Sequence, residues 1–62
     1  MKRRDLLRHL EMHGCVFERE GAEHTVYVNP FKRKVTAIPR HRELDHRLCR
    51  RICKDLDIPR IE

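Results

Sequence analysis

Leucines near the start of the chain recur at the spacing of an α-helix. Leu6, Leu7 and Leu10 are separated by charged residues within the segment 3–13, so they share one face of a helix. Gly14 follows directly, and glycine is common just past the end of a helix. We therefore predict an amphipathic helix over Arg3–His13.

A second apolar repeat lies near the end of the chain. Its apolar residues recur every four positions, as on one face of a helix: Leu44, Leu48, Ile52 and Leu56. We predict a second amphipathic helix here, with Asp45 as its N-cap and with Asp57 and Pro59 ending it.

Between the helices lie three short runs that are rich in β-branched and aromatic residues, which is typical of strands: Cys15–Arg19, His24–Val28 and Lys34–Ile38. A turn over 20–23 joins the first two, and Asn29-Pro30 with a loop over 31–33 joins the last two. Such short connections predict antiparallel neighbours. Both helices have an apolar stripe to bury, so we expect them on one face of the sheet. The predicted fold is a single α+β domain over 1–62, in the order α-β-β-β-α.

The charge of the chain narrows the classes of partner. Lys and Arg total 15 against 10 for Asp and Glu, a formal net charge of +5, which favours polyanions or acidic proteins. The only aromatic residues are Phe17, Tyr27 and Phe31, too few for a platform that stacks single-stranded bases. A domain of this size has a small core, so a surface site with a large partner is expected rather than a deep pocket.

The cysteines and the terminus indicate the compartment. Three cysteines cannot all pair internally, Met1 leads directly into Lys-Arg-Arg, and no apolar run approaches the roughly 20 residues of a membrane span. We expect a cytoplasmic protein with reduced thiols. Cys49 and Cys53 lie near His46 but lack a fourth ligand for tetrahedral zinc, so small buried hydrophobic residues are expected, with no metal site.

One histidine stands at a distinctive place in this pattern. His24 follows the turn at Gly21 and begins the second strand. Histidine is the side chain whose unperturbed pKa lets it exchange protons near neutral pH, and acid–base help of this kind suffices for cleaving RNA, which carries its own 2′-hydroxyl nucleophile. An isolated histidine is also common as an ordinary strand residue, and both interpretations stay open on the residues alone.

Basic clusters extend the candidate nucleic-acid surface. Two of them occupy a loop between strands and the linker before the last helix, where phosphate contacts are expected: Lys32, Arg33, Lys34, Arg40, His41 and Arg42. His41 is also the best candidate for a second acid. The cluster Lys2-Arg3-Arg4 is equally well explained as a solvated surface.

In this arrangement the chain resembles HicA-type toxins, the small ribonucleases of bacterial type II toxin–antitoxin pairs. The resemblance rests on residues spread over nearly the whole chain: the helix 4–11, Gly14, the run Gly21-x-x-His24-x-x-Tyr27-x-Asn29-Pro30, the segment 38–44, the helix 48–54 and Ile58-Pro59. Three positions differ from the usual family pattern: Cys15, Glu23 and Arg47. Glu23 places a carboxylate next to the histidine.

The resemblance implies a fold similar to double-stranded-RNA-binding domains, metal-independent cleavage of mRNA with His24 as the catalytic residue, no cofactor, and silencing by a HicB-like antitoxin. Two alternatives remain: a non-catalytic RNA-binding module of the same fold, and a docking subunit whose basic residues meet an acidic protein. Loss of RNA cleavage on His24→Ala separates the ribonuclease hypothesis from both alternatives.

Overall fold

The computed structural model describes residues 1–61 and contains two helices and one three-stranded sheet. In chain order these are α1 (Arg3–Met12), β1 (Val16–Glu20), β2 (His24–Asn29), β3 (Lys34–Pro39) and α2 (His46–Asp55). β2 lies in the centre and pairs antiparallel with both neighbours. The predicted α-β-β-β-α order and antiparallel sheet are therefore confirmed.

The predicted end of α1 is nearly right. His13 is the C-cap rather than a helical residue, and its N–H still bonds to His9 O. Gly14 then adopts φ +87, a left-handed conformation that side chains disfavour. A Cβ there would also lie 2.9 Å from Cε2 of Phe31, so glycine is required by both the turn and the close approach.

The predicted start of α2 is confirmed, because the helix begins at His46, directly after Asp45. Leu44 precedes the helix, because its backbone N–H and C=O both bond to Met1, at 2.7 and 3.0 Å, and these bonds hold the segment extended. Asp45 does occupy the N-cap position, but its side chain makes no capping hydrogen bond. Leu44 is nevertheless buried, so its apolar side chain serves the core from outside the helix.

Both helices bury their stripes against one face of the sheet. The core cluster contains Leu6 and Leu10 of α1, Tyr27 and Ile38 of the sheet, and several residues of or beside α2: Cys49, Ile52, Cys53 and Leu56. Burial of apolar surface is the main force that holds so small a domain together. The prediction that Cys49 and Cys53 act as small buried hydrophobic residues is confirmed, at 1% and 0% exposure.

A buried amide ties the far end of the sheet to α2. Asn29 donates from Nδ2 to Leu56 O at 2.8 Å and accepts from Phe31 N–H at 3.1 Å on Oδ1. Asn29 is the last residue of β2, one residue beyond the predicted strand end. Its side chain satisfies both a backbone carbonyl at the end of α2 and a backbone N–H of the loop after β2.

The second face of the sheet carries neither helix. Because successive strand residues point to opposite faces, Thr25, Tyr27 and Asn29 face the core while the residues between them face away. Strand register places apolar residues of all three strands on this open face: Val16, Val26, Val28, Val35 and Ala37. No helix within residues 1–61 is long and apolar enough to cross a membrane.

Candidate functional site

His24 lies at one corner of the open sheet face. It is the first residue of β2 and is paired in register with Pro39, the last residue of β3. Its neighbour Thr25 is 2% exposed and faces the core, so His24 faces outward, and its side chain is exposed. The imidazole forms no hydrogen bond to any of residues 1–61, which leaves both ring nitrogens accessible to a partner.

A tight turn sets the position of this histidine. Gly21 N–H donates to His24 O at 2.7 Å, which closes a turn with only Ala22 and Glu23 between them. Glu23 is exposed and, among the described residues, forms no ion pair. The Glu23 carboxylate is thus unpaired within residues 1–61 and lies in the turn, beside the backbone of His24.

A hydrogen-bond network holds the strand ends next to His24 from the core side. Arg3 of α1 donates from Nε to Pro39 O at 3.0 Å and from Nη2 to Oγ1 of Thr25 at 2.7 Å. Thr25 in turn donates to the carboxylate of Glu20, at 3.0 and 3.2 Å to its two oxygens. Charge-assisted bonds of this kind are stronger than neutral ones. α1 is therefore fixed directly to β2 and β3, and through Thr25 to Glu20 of β1.

Arg40 completes this network at the turn. Its Nε lies 3.1 Å from Oε1 of Glu20, and its Nη2 donates to Gly21 O. One of the predicted RNA-binding residues thus supports the turn that carries His24, and part of its charge is neutralised by Glu20.

Sequence reasoning missed the roles of Arg3 and Glu20. The signal for Arg3 was present, because it stands three residues before Leu6 and seven before Leu10, in line with the apolar stripe of α1. A charged residue in that line has to find a partner when the stripe is buried. Its partner, 22 residues away in the chain, was not readable from the sequence.

The two predicted basic clusters lie at opposite ends of the sheet. Arg40, His41 and Arg42 are exposed and follow β3 at the end where Pro39 pairs with His24. Lys34 pairs instead with Asn29, five residues along β2, which is about 17 Å at the usual rise of a strand. Only the first cluster is therefore close to the candidate catalytic residue.

The loop cluster far from His24 is only partly available for phosphate. Nζ of Lys32 lies 3.1 Å from Oδ2 of Asp57 in an exposed ion pair. Arg33 and Lys34 are exposed, and Arg33 adopts a left-handed φ of 56 in the turn. Phosphate contacts by this loop remain a prediction.

Two further titratable groups are used structurally. Tyr27 donates its hydroxyl to Oε2 of Glu11 at 2.9 Å, and burial, reinforced by this hydrogen bond, raises the pKa of Tyr27 to about 12. His9 donates from Nε2 to Pro59 O at 2.6 Å and so attaches the segment after α2 to α1. His9 thus has a structural contact that the sequence did not indicate.

The three cysteines are reduced and buried. Burial raises the pKa of the Cys15, Cys49 and Cys53 thiols, which keeps them protonated and unreactive. Within residues 1–61 no cluster of His, Cys, Asp and Glu has the arrangement of a metal site.

The family model described as the HicA toxin of bacterial toxin–antitoxin systems matches residues 3–58, which includes His24 and every helix and strand. No curated protein and no solved structure matches the chain.

Proposed function

The chain belongs to the HicA family of bacterial toxin–antitoxin toxins, and from this premise we propose that it is an endoribonuclease that cleaves mRNA with His24 as its acid–base residue. The observation that carries the proposal is the exposed imidazole of His24, unbonded within residues 1–61, at the corner of a sheet next to a basic segment. A histidine with a structural task would be bonded or buried, as His9 is.

The chemistry requires few groups because RNA supplies its own nucleophile. A base removes the proton of the 2′-hydroxyl as its oxygen attacks phosphorus, and the bond to the 5′-oxygen breaks as that oxygen gains a proton. The products are a 2′,3′-cyclic phosphate and a 5′-hydroxyl. His24 performs one of the two proton transfers, and no metal or organic cofactor takes part in the scheme.

The segment after β3 supplies the remaining groups. Arg42 offers a cation for charge that builds up on the phosphorane oxygens, and His41 is the candidate for the second proton transfer. Arg40 is tethered to Glu20 and Gly21, so its first task is to hold the turn. The distant residues Lys32, Arg33 and Lys34 contact the RNA backbone away from the scissile bond.

The partner proteins follow from the same premise. A toxin of this family has an antitoxin, and we propose a HicB-like protein that silences the activity in the cytoplasm. The open sheet face suits a protein partner, because Val16 and Val35 are 48% and 57% exposed beside further apolar residues.

The proposal is tested by purifying the chain, His24→Ala and His46→Ala, and incubating each with labelled mRNA in chelator. His46 is a matched control because it is also an exposed histidine at the start of an element. We expect the parent and His46→Ala to cleave, and His24→Ala to lose about 10²–10⁴-fold in rate.

A second arm follows growth and total mRNA in cells that express each variant. Equal toxicity of the parent and His24→Ala, with intact RNA in both, contradicts the proposal. RNA retention without breakage, unchanged by His24→Ala, supports the alternative of a non-catalytic RNA-binding module. Binding to a HicB-like protein alone, with no affinity for RNA, supports the docking-subunit alternative.

A further inference from the structure

We propose that a cleft formed by the start of α1 and the segment before α2 binds phosphates of the RNA strand next to the scissile bond. This inference rests on the proposed function, and it assigns RNA contacts to Lys2 and Arg4, which the sequence left unassigned. The cleft has a volume of about 570 Å³ and is lined only by charged residues: Lys2, Arg3, Arg4, Arg40, Arg42 and Glu43.

Backbone hydrogen bonds build this cleft from two basic clusters that are 36 or more residues apart. Arg3 N–H donates to Arg42 O at 2.9 Å, and Lys2 pairs with Glu43 in a short antiparallel bridge. The bonds between Met1 and Leu44 extend this pairing by one position. The cations of both clusters are thus held on one rigid support rather than on separate flexible ends.

Three of these cations are free to bind an anion. Lys2, Arg4 and Arg42 form no ion pair with any of residues 1–61, whereas Arg40 is paired with Glu20. Glu43 is the single acid that lines the cleft, and its carboxylate lies 3.7 Å from the amino group of Met1. Free cations therefore outnumber the acid.

The cleft is continuous with the candidate catalytic corner. Arg3 lines the cleft and also bonds to Pro39 O, and Pro39 is the register partner of His24. Arg40 likewise lines the cleft and bonds to Gly21 O in the turn that carries His24. An RNA strand with one phosphate at His24 therefore places its neighbouring phosphates at the cationic cleft.

The lining favours a nucleic acid over a protein partner. Protein interfaces depend on aromatic and apolar anchors that fill pockets, and here every lining side chain is charged. Several Lys and Arg side chains around a shallow cleft are instead what phosphate-backbone contacts require.

The test uses a His24→Ala background, so that RNA is bound but not cleaved, and compares two triple variants. One is Lys2→Gln, Arg4→Gln and Arg42→Gln. The control has the same change in charge on the exposed side of α2: Arg47→Gln, Arg51→Gln and Lys54→Gln. The affinity for a labelled 20-nucleotide single-stranded RNA is measured by fluorescence anisotropy as a function of salt, after circular dichroism has shown that each variant is folded.

We expect the cleft variant to bind at least about tenfold more weakly at 0.1 M salt and to lose about 2 from the slope of log affinity against log salt, since each single-strand phosphate contact contributes about 0.7. The α2 control is expected to keep both. With His24 restored, the double variant Lys2→Gln and Arg4→Gln, which keeps Arg42, should raise KM for RNA and leave kcat unchanged, because these two residues contact phosphates other than the reacting one.

Equal losses in the two triple variants overturn the inference, because they show only a diffuse effect of net charge. The inference is also overturned if poly-glutamate displaces the labelled RNA as strongly as unlabelled RNA of equal charge does, because that result assigns the cleft to acidic proteins. If the parent cleaves RNA through His24 but the cleft variant keeps its affinity, only this inference fails. If the parent neither binds nor cleaves RNA, the proposed function fails and this inference fails with it.

Discussion

The two hydrogen bonds from Arg3 of α1 to the strand ends near His24 predict that replacing Arg3 lowers the free energy of unfolding markedly. Arg3→Met keeps most of the side-chain stem but removes the donors to Pro39 O and to Oγ1 of Thr25. Arg4→Met is the matched control, because Arg4 is the next residue, is exposed and forms no ion pair within residues 1–61.

The magnitude follows from the contacts. Hydrogen bonds from a charged donor contribute about 1.5–3 kcal/mol each, and the half-buried position of Arg3 places both near the lower limit. Two such bonds contribute about 3 kcal/mol, and the bond that Thr25 keeps to Glu20 offsets part of this, so we expect a net loss of about 2 kcal/mol. A domain of this length has a free energy of unfolding of roughly 3–9 kcal/mol, and a loss of about 2 lowers Tm by about 8–16 °C.

The assay is urea unfolding followed by far-UV circular dichroism, since the chain has no tryptophan to report by fluorescence. Arg4→Met should change the free energy of unfolding by no more than about 0.5 kcal/mol. If Arg3→Met falls within about 0.5 kcal/mol of Arg4→Met, the two hydrogen bonds do not hold the strand ends, and the structural role given to Arg3 is refuted.

Two further predictions concern the core side of the sheet. The pKa of Tyr27 is raised to about 12 in the folded state, whereas it is near 10 in the unfolded state. Between these two values the folded state keeps the phenol protonated and the unfolded state releases the proton. The stabilisation by Tyr27 is therefore complete below pH 10, and about 2 kcal/mol of the free energy of unfolding is lost by pH 12. Tyr27→Phe should remove that part of the alkaline loss in urea titrations, and an identical pH profile for parent and variant would exclude it. Gly14→Ala should lower the free energy of unfolding by more than about 1 kcal/mol, because Gly14 has a positive φ and a Cβ there would contact Phe31. Gly21→Ala should lower it by less, because the φ of Gly21 is not positive. The reverse order of the two variants in thermal melts would contradict the geometry.

The fold was predictable because local spacing and the buried face agree. The leucines of α1 and the four-residue repeat of α2 are buried as their periodicity indicates, and the strand bounds differ from those expected by about one residue. Leu44 continues the repeat of α2 yet lies outside the helix, because its backbone is used by Met1. That pairing joins Met1 to the segment before α2, 43 residues along the chain, and no local pattern indicates it.

The site was predictable in part. The place of His24 on an outward face follows from strand alternation. The separation of Lys34 from His24 follows from the antiparallel hairpin of β2 and β3, because His24 lies at its open end and Lys34 lies next to its turn. The contacts that organise the corner do not follow from the sequence. The bonds from Arg3 to Thr25 and from Arg40 to Gly21 join residues that are 22 and 19 positions apart, and only packing brings them together.

The claim that His24 performs a proton transfer in RNA cleavage is tested most directly by the ends of the RNA products. Single-turnover cleavage of a defined RNA by the purified chain in chelator should give 2′,3′-cyclic phosphate and 5′-hydroxyl ends, with none from an RNA whose 2′-hydroxyl at the cleavage site is replaced by hydrogen. His24→Ala should reduce the rate by about 10²–10⁴-fold, with the free energy of unfolding nearly unchanged. Equal rates for the parent and His24→Ala, or cleavage of the 2′-deoxy substrate, would contradict the account.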